Sequence, residues 1–164
     1  MSVIEDLLSN NRAFSARVDR RHLPIQPSRR LAVVACMDSR LDVFAALGLD
    51  QGEAHVLRNA GGVITDDMIR SLAVSQLKLG TREVMIIHHT DCGLQKITDS
   101  GFRDELIELS GMAPSFAIEA FRDPEANLRQ SILRVRNSPF IRHRDHVRGF
   151  IYDVDSGELN ETVV

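Results

Sequence analysis

Two cysteines, Cys36 and Cys92, are the only thiols in this 164-residue chain, and the groups able to do chemistry gather around them. Cys36-x-Asp38-x-Arg40 and His89-x-x-Cys92 together offer two thiolates, one imidazole and one carboxylate. Zinc takes those ligand types in tetrahedral geometry, and a catalytic zinc site keeps one position for water. Cys36, His89 and Cys92 as ligands would leave that position open, whereas Asp38 as a fourth would close it. His89 and Cys92 fit on one turn, so Cys36 must arrive from elsewhere in the fold. Two other readings of the cysteines compete. A buried Cys is often an inert core residue, and a reactive pair can form a redox-sensing disulfide with no need of Asp38 or Arg40. In a reducing compartment, metal-binding, catalytic or inert roles outrank a bridge.

The scaffold that must position these groups reads as alternating strands and helices. LAVVACM (31–37) is a continuous apolar run rich in β-branched residues, which predicts a strand buried on both faces; AHVLRN (54–59) reads as the next strand and EVMIIHH (83–89) as the third buried one. Between them a helix fits 41–47, ended by Gly48. Another follows Ala60-Gly61-Gly62, with Thr65 as its cap, Asp66 and Asp67 in its first turn, and Gly80 at its end. The expected buried stripe of that helix is Ile69, Leu72, Ala73 and Leu77. Further helices fit 101–110 and 125–137, the second with Asp123 as N-cap, Pro124 in its first turn and Leu128, Ile132 and Val135 facing inward. RGFIYDV (148–154), a turn at Asp155-Ser156-Gly157 and a short last strand predict an edge hairpin. The alternation predicts an α/β fold: a mostly parallel central sheet, helices on both faces, and an antiparallel edge strand. Ligands bind beyond the carboxyl ends of such strands at a switch point. In a 2-1-3 strand order, Cys36 and His89 would overlook one crevice.

Residues 1–164 read as a single domain, with 1–30 as an N-terminal helix and arm. Val3, Ile4, Leu7, Leu8 and Phe14 give residues 3–14 an amphipathic pattern, and HLPIQPSRR (22–30) is held extended by two prolines. Such a helix docks either on a neighbouring subunit or on its own domain. The chain is 43% hydrophobic and 26% charged with a net charge of −3, ordinary globular values with no basic excess for nucleic acid or an anionic membrane. No apolar run approaches a membrane span, and the acidic start MSVIEDLLSNN is unlike a secretory signal, so a cytoplasmic location is expected. A nucleotide-binding role for Ala60-Gly61-Gly62 lacks both a Walker A motif and a G-x-G-x-x-G after a strand.

In their order and spacing, CMDSR (36–40), RNAGG (58–62) and HHTDCG (88–93) resemble the β-class carbonic anhydrases, a likeness that extends from LLSNN (7–11) to the closing RGFIYDV. The resemblance implies one zinc per chain on Cys36, His89 and Cys92, no other cofactor, and an assembly built on dimers, a homodimer or a tetramer of dimers. It implies reversible hydration of carbon dioxide to bicarbonate and a proton by zinc-bound hydroxide, zinc lowering the pKa of water from 15.7 to about 7. Asp38 and Arg40 would be the active-site pair, Asp38 aiming the hydroxide and Arg40 holding Asp38 ionised. Some relatives have an inactive form with this aspartate on zinc, which Asp38 is expected to adopt at lower pH. His55, Gly61 and Val74 would contact substrate.

The chain departs from the family at several positions. His88 stands where many members have Gly, and His55 and Val74 replace aromatics of plant-type members. Pro27 stands where those enzymes place a glutamine. The compact HHTDCG variety also resembles carbonyl sulfide hydrolases with the same ligands, the alternative activity. Pocket shape would have to separate the two linear substrates, and one atom's size is worth only about 1–3 kcal/mol. Strand alternation points His88 away from His89, as a hydrogen-bonded core residue. Arg58 is expected to anchor its loop or a subunit contact, Asp91 to be a loop carboxylate, and the arginines of 134–148 to be solvated.

Overall fold

The computed structural model describes residues 2–18 and 22–164, so residues 19–21, at the entry to the expected arm, lie outside it. Strand β1 (Leu31–Cys36) runs through the centre, with Ala32, Val33, Val34 and Ala35 fully buried, as an apolar run with no polar face requires. Strands β2 (Ala54–Asn59) and β3 (Glu83–His89) pair with it in parallel on either side. Strand β4 (Val147–Tyr152) continues the parallel sheet, and β5 (Leu159–Thr162) closes it as an antiparallel edge. The order β2-β1-β3-β4-β5 contains the expected 2-1-3 arrangement. It brings the carboxyl ends of β1 and β3 side by side, where the last ladder pair, Ala35 with Ile87, immediately precedes Cys36 and His88.

Helices follow from local chemistry at their ends. The side chains of Asp42, Thr65, Thr98 and Asp123 accept backbone N–H bonds at the starts of α2 (Val43–Leu47), α3 (Asp66–Leu79), α4 (Asp99–Ser110) and α5 (Pro124–Asn137). Glycines 48, 80 and 111 end α2, α3 and α4 in the left-handed conformation. Met68 and Leu72 of α3 and Leu128, Ile132 and Val135 of α5 pack on Ala32, Val34, Val84 and Ile86 across one sheet face. The other face carries Val33, Ala35 and Ile87 beneath Leu41 and Val43. The N-terminal helix, α1 (Val3–Ser15), contributes no buried residue, and neither does α4. Among the described residues no helix is long and apolar enough to cross a membrane.

One expected core position is corrected. Leu77 is 54% exposed, and the inward positions of that turn belong to Ser75 and Gln76. Both are buried because their polar atoms are satisfied. The Ser75 hydroxyl lies 2.7 Å from both His55 Nδ1 and Thr81 Oγ1, while Gln76 Oε1 accepts the backbone N–H groups of Arg142 and His143. A hydrophobic stripe read from apolar residues alone misses such a turn. Ile69 and Ala73 do pack against the core.

The turn Ala60–Gly62 crosses the ends of β1 and β3 at the closest approach in this region. Gly62 has φ +66°, and a Cβ there would meet only backbone: Cys36 N at 2.8 Å, Ala35 C at 2.9 Å and Ile87 O at 3.0 Å. Gly48, at φ +60°, has nothing within 4 Å of the same point. Gly62→Ala is expected to lower unfolding free energy by at least about 3 kcal/mol, and Gly48→Ala by about 1 kcal/mol, the left-handed penalty alone. Urea unfolding of the two variants checks the contrast.

Candidate metal centre

The site is assembled from the ends of two strands and two turns. Beyond Cys36 the chain turns sharply, with Met37 N donating to Asn59 O at 2.8 Å. Arg58 clamps this bend, donating from Nε to Cys36 O at 2.8 Å and from Nη2 to Asp38 O at 2.6 Å. Within its own chain Arg58 thus anchors the bend between Cys36 and Asp38. After His89 the chain reverses through Thr90 and Asp91 to Cys92, which caps a 3-10 turn at Gly93–Gln95. The Cys92 carbonyl accepts from the backbone N–H of Gln95 at 3.0 Å, and the Gln95 side-chain oxygen accepts from Cys92 N at 3.1 Å.

Cys36, His89 and Cys92 are all buried, and their ligand atoms lie within 4.8 Å of one another. The two sulfurs are 4.0 Å apart, about twice the length of a disulfide bond, and both thiols are free. His89 Nδ1 is 2.8 Å from Thr90 O, which assigns the proton to Nδ1 and leaves Nε2 as a lone pair. That Nε2 is buried without a hydrogen-bond partner among the described residues. An orphaned imidazole nitrogen among two buried thiols is costly unless something binds it. The donor set, two sulfurs and one nitrogen with a hydrogen-bonded second ring nitrogen, fits a metal ion of the zinc kind.

Charge in the cluster is arranged for a thiolate. The Cys92 S–H, and then the His89 ring and the backbone N–H groups of Asp38 and Gly61, draw the Cys36 thiol well below its ordinary range against the opposing effect of burial. That thiolate and burial push the Cys92 thiol up. Burial disfavours a charged His89, but the Cys36 thiolate, the Thr90 carbonyl and Asp38 together raise it.

Asp38 is held outside this triplet. Its Oδ1 accepts from Arg40 N at 2.9 Å and Nε at 3.0 Å, and its Oδ2 accepts from Arg40 Nη2 at 2.8 Å. Its Oδ2 is also 3.7 Å from His89 Nε2. These bonds from Arg40 hold the carboxyl far below the usual carboxylate range. The stability Asp38 contributes is therefore complete above its unfolded pKa of about 3.9 and is lost only as pH falls through the depressed folded value.

The structure joins some of the other expected residues to this centre and separates others. Gly61 abuts it, and a Cβ there would meet Phe121, Leu94 and Val63 at 3.2–3.3 Å, the apolar side chains that pack with Cys36 and Cys92. His55 is paired with Ala32, four residues before Cys36 in β1 and so about 13 Å down the strand, with its ring hydrogen-bonded to Ser75. Val74 is exposed on α3 and lines a groove of 1040 Å³ with Ile69, Leu77 and Phe140. Neither reaches the thiols of its own chain. His88 is fully buried on the α5 side, its Nδ1 3.4 Å from Pro124 O and its ring stacked on Phe121 at 5.5 Å, and burial lowers its pKa. Three of the arginines in 134–148 bind the chain itself: Arg134 with Glu119, Arg136 with Val147 O and Arg148 with Glu161. The sequence reading passed over Phe121, which sits in irregular chain with no motif or period to mark it. It also passed over Lys96, whose charge pairs with Asp91 beside Arg40.

Comparison with known proteins bears on this centre. The sequence model of the family described as carbonic anhydrase matches residues 31–159. Beta-carbonic anhydrase 1 of Mycobacterium tuberculosis is 47% identical over 98% of each chain. A carbon disulfide hydrolase of Acidithiobacillus thiooxidans is 35% identical over 97% of this chain and 90% of its own. The crystal structure of carbonic anhydrase from Streptococcus mutans superposes with a TM-score of 0.93, at 43% identity over 99% of both chains.

Because ligands must shed protons before they bind a metal, zinc held by these donors is expected to dissociate as pH falls. Protein dialysed against zinc at pH 8 is expected to take up one zinc ion per chain, and Cys36→Ala or Cys92→Ala to abolish that uptake. Elemental analysis checks this, and full zinc retention in either variant would remove that cysteine from the ligand set.

Proposed function

Since this chain belongs to the β-carbonic anhydrase family, we propose that it catalyses the reversible hydration of carbon dioxide to bicarbonate and a proton, with one zinc ion held by Cys36, His89 and Cys92. The observation that carries the reading is the buried sulfur–nitrogen–sulfur triplet, its imidazole Nε2 unpartnered and an ionised carboxylate beside it. Bound there, zinc would supply a Lewis acid able to make water nucleophilic near neutral pH.

The chain's own residues then do the orienting. Asp38 keeps an ionised oxygen facing the triplet, ready to accept a hydrogen bond from a water molecule and to fix the direction of its lone pair. Arg40 keeps that carboxylate from turning, because Nε and Nη2 on one edge of its guanidinium engage both oxygens. Asp38 is bonded to Arg40, and to ligate a metal held by the triplet it would have to give up those bonds. Val63, Leu94 and Phe121 form an apolar wall behind Gly61 that keeps bulk water from the sulfurs.

The proposal takes residues 1–164 as one unit and extends to its assembly and location. A 13-residue helix such as α1, with Val3, Ile4, Leu7 and Leu8 exposed, is marginal by itself in water and gains its helicity from a partner surface. We assign it to a homodimer, or to a tetramer of dimers. In such an assembly the α3 face carrying Val74, with His55 behind it, can adjoin a second copy's centre and contact substrate there, as Gly61 does within its own chain. Two thiol ligands must stay reduced, which a cytoplasmic location provides.

A second reading, hydrolysis of carbonyl sulfide, is supported by the carbon disulfide hydrolase relatives. Carbon dioxide, carbonyl sulfide and carbon disulfide are linear molecules attacked at carbon, so one donor set serves all three. Stopped-flow hydration of carbon dioxide beside sulfide release from carbonyl sulfide decides between them. Rapid hydration with slow sulfide release is expected, and the reverse would transfer the assignment. Asp38→Ala is expected to keep its zinc and lose about a hundredfold in kcat; a parental rate would remove Asp38 from the mechanism. Sedimentation at micromolar concentration is expected to show a dimer or larger species, and a monomer would count against the assembly.

A further inference from the structure

Asp91 occupies an unusual place: it is a non-glycine residue at φ +55°, in the short reversal between His89 and Cys92. Its side chain reaches back across the centre. Oδ2 accepts from Arg40 Nη1 at 2.8 Å, Oδ1 lies 2.7 Å from Lys96 Nζ, and the Asp91 carbonyl accepts from Arg40 Nη2 at 3.0 Å. Arg40 thus stands between two carboxylates, giving Nε and one Nη2 bond to Asp38 and the rest of its fork to Asp91. Charges alternate along the row Asp38, Arg40, Asp91, Lys96.

Stability does not account for this row. Arg40 is 45% and Asp91 51% exposed, and ion pairs at such exposure add little to folding free energy. What the row fixes is geometry. Asp38 and Arg40 belong to the Cys36 side of the centre, and nothing within that segment relates them to His89 and Cys92. Asp91 is bonded into the loop that carries those two residues. Because a guanidinium is planar and rigid, holding one edge of Arg40 sets where its other edge presents Asp38.

We propose that Asp91 is a positioning residue: it ties Arg40, and through Arg40 the Asp38 carboxylate, to the His89–Cys92 side of the metal centre. Lys96 balances the Asp91 charge so that Arg40 is not drawn off Asp38. The inference rests on the reading above, in which Asp38 works beside a metal held by Cys36, His89 and Cys92.

The test uses zinc-loaded protein. Asp91→Gly removes the carboxylate and suits the left-handed backbone, and Asp91→Asn keeps an oxygen acceptor of the same shape. Asp91→Gly is expected to keep one zinc per chain and a melting temperature within about 2 °C of the parent. Its kcat is expected to fall about tenfold at unchanged KM. Exchange of the Arg40 Nε–H with solvent, followed by NMR and assigned by its disappearance in Arg40→Lys, should quicken by a similar factor. Asp91→Asn should retain most of the parental kcat and the slow exchange. Parental kcat and exchange in Asp91→Gly would overturn the proposal. So would loss of zinc and melting temperature in both variants, which would make Asp91 part of the loop's scaffold. If the parent itself turns over neither carbon dioxide nor carbonyl sulfide, the functional reading fails, and the Arg40 exchange contrast still decides whether the tether exists.

Discussion

Bringing two sulfurs and an imidazole nitrogen within 4.8 Å of one another, out of water, is the demand to which the surrounding structure responds. Each donor resists burial in the form that binds a metal, since two thiolates repel and an unpartnered ring nitrogen forfeits a hydrogen bond. The neighbouring backbone offsets this in several small ways. Amides of Asp38 and Gly61 point at Cys36, the Leu94 amide serves Cys92, and the Thr90 carbonyl fixes the tautomer of His89. A polypeptide that leaves such a cluster partly uncompensated departs from local consistency where function would require it.

Sheet topology supplies the framework for those contacts. With β1 between β2 and β3, the loops leaving all three strands emerge on one rim, and the strand ends bearing Cys36 and His89 are adjacent. The same rim receives Arg58 and Asn59 from the end of β2, which hold the bend after Cys36 through its carbonyl groups and the Met37 N–H. β1 and β3, held by hydrogen bonds on both edges under a core of buried aliphatic side chains, give the rim a rigid base.

Much of this was legible in the residues. Apolar, β-branched sequence located β1 and β3, and cap residues at Thr65 and Asp123 located two helices, because these signals are local. The ligand triplet was legible because His89 and Cys92 share a turn and Cys36 ends a strand. Leu77 was misread because Ser75 and Gln76 take its place in the interior through hydrogen bonds made to chain some 6 and 67 residues away. The part of Asp91 was hidden for a similar reason: its partner Arg40 lies 51 residues earlier, and only the folded loop brings the two together. Phe121 reaches the centre from chain with neither helical nor strand period, so no pattern announced it.

Gly62 has a consequence for how this protein can change over generations. Every replacement of a glycine adds at least a Cβ, and at Gly62 that atom would fall on the backbone of two strands rather than on side chains that could move aside. The crossing that shapes the rim is thus closed to stepwise revision, although the residue itself need touch no reactant. Heritable variation in the chemistry of this centre must enter through side chains that can be exchanged without shifting the main chain. Leu94 and Phe121, packed beside the sulfurs, are side chains of that kind.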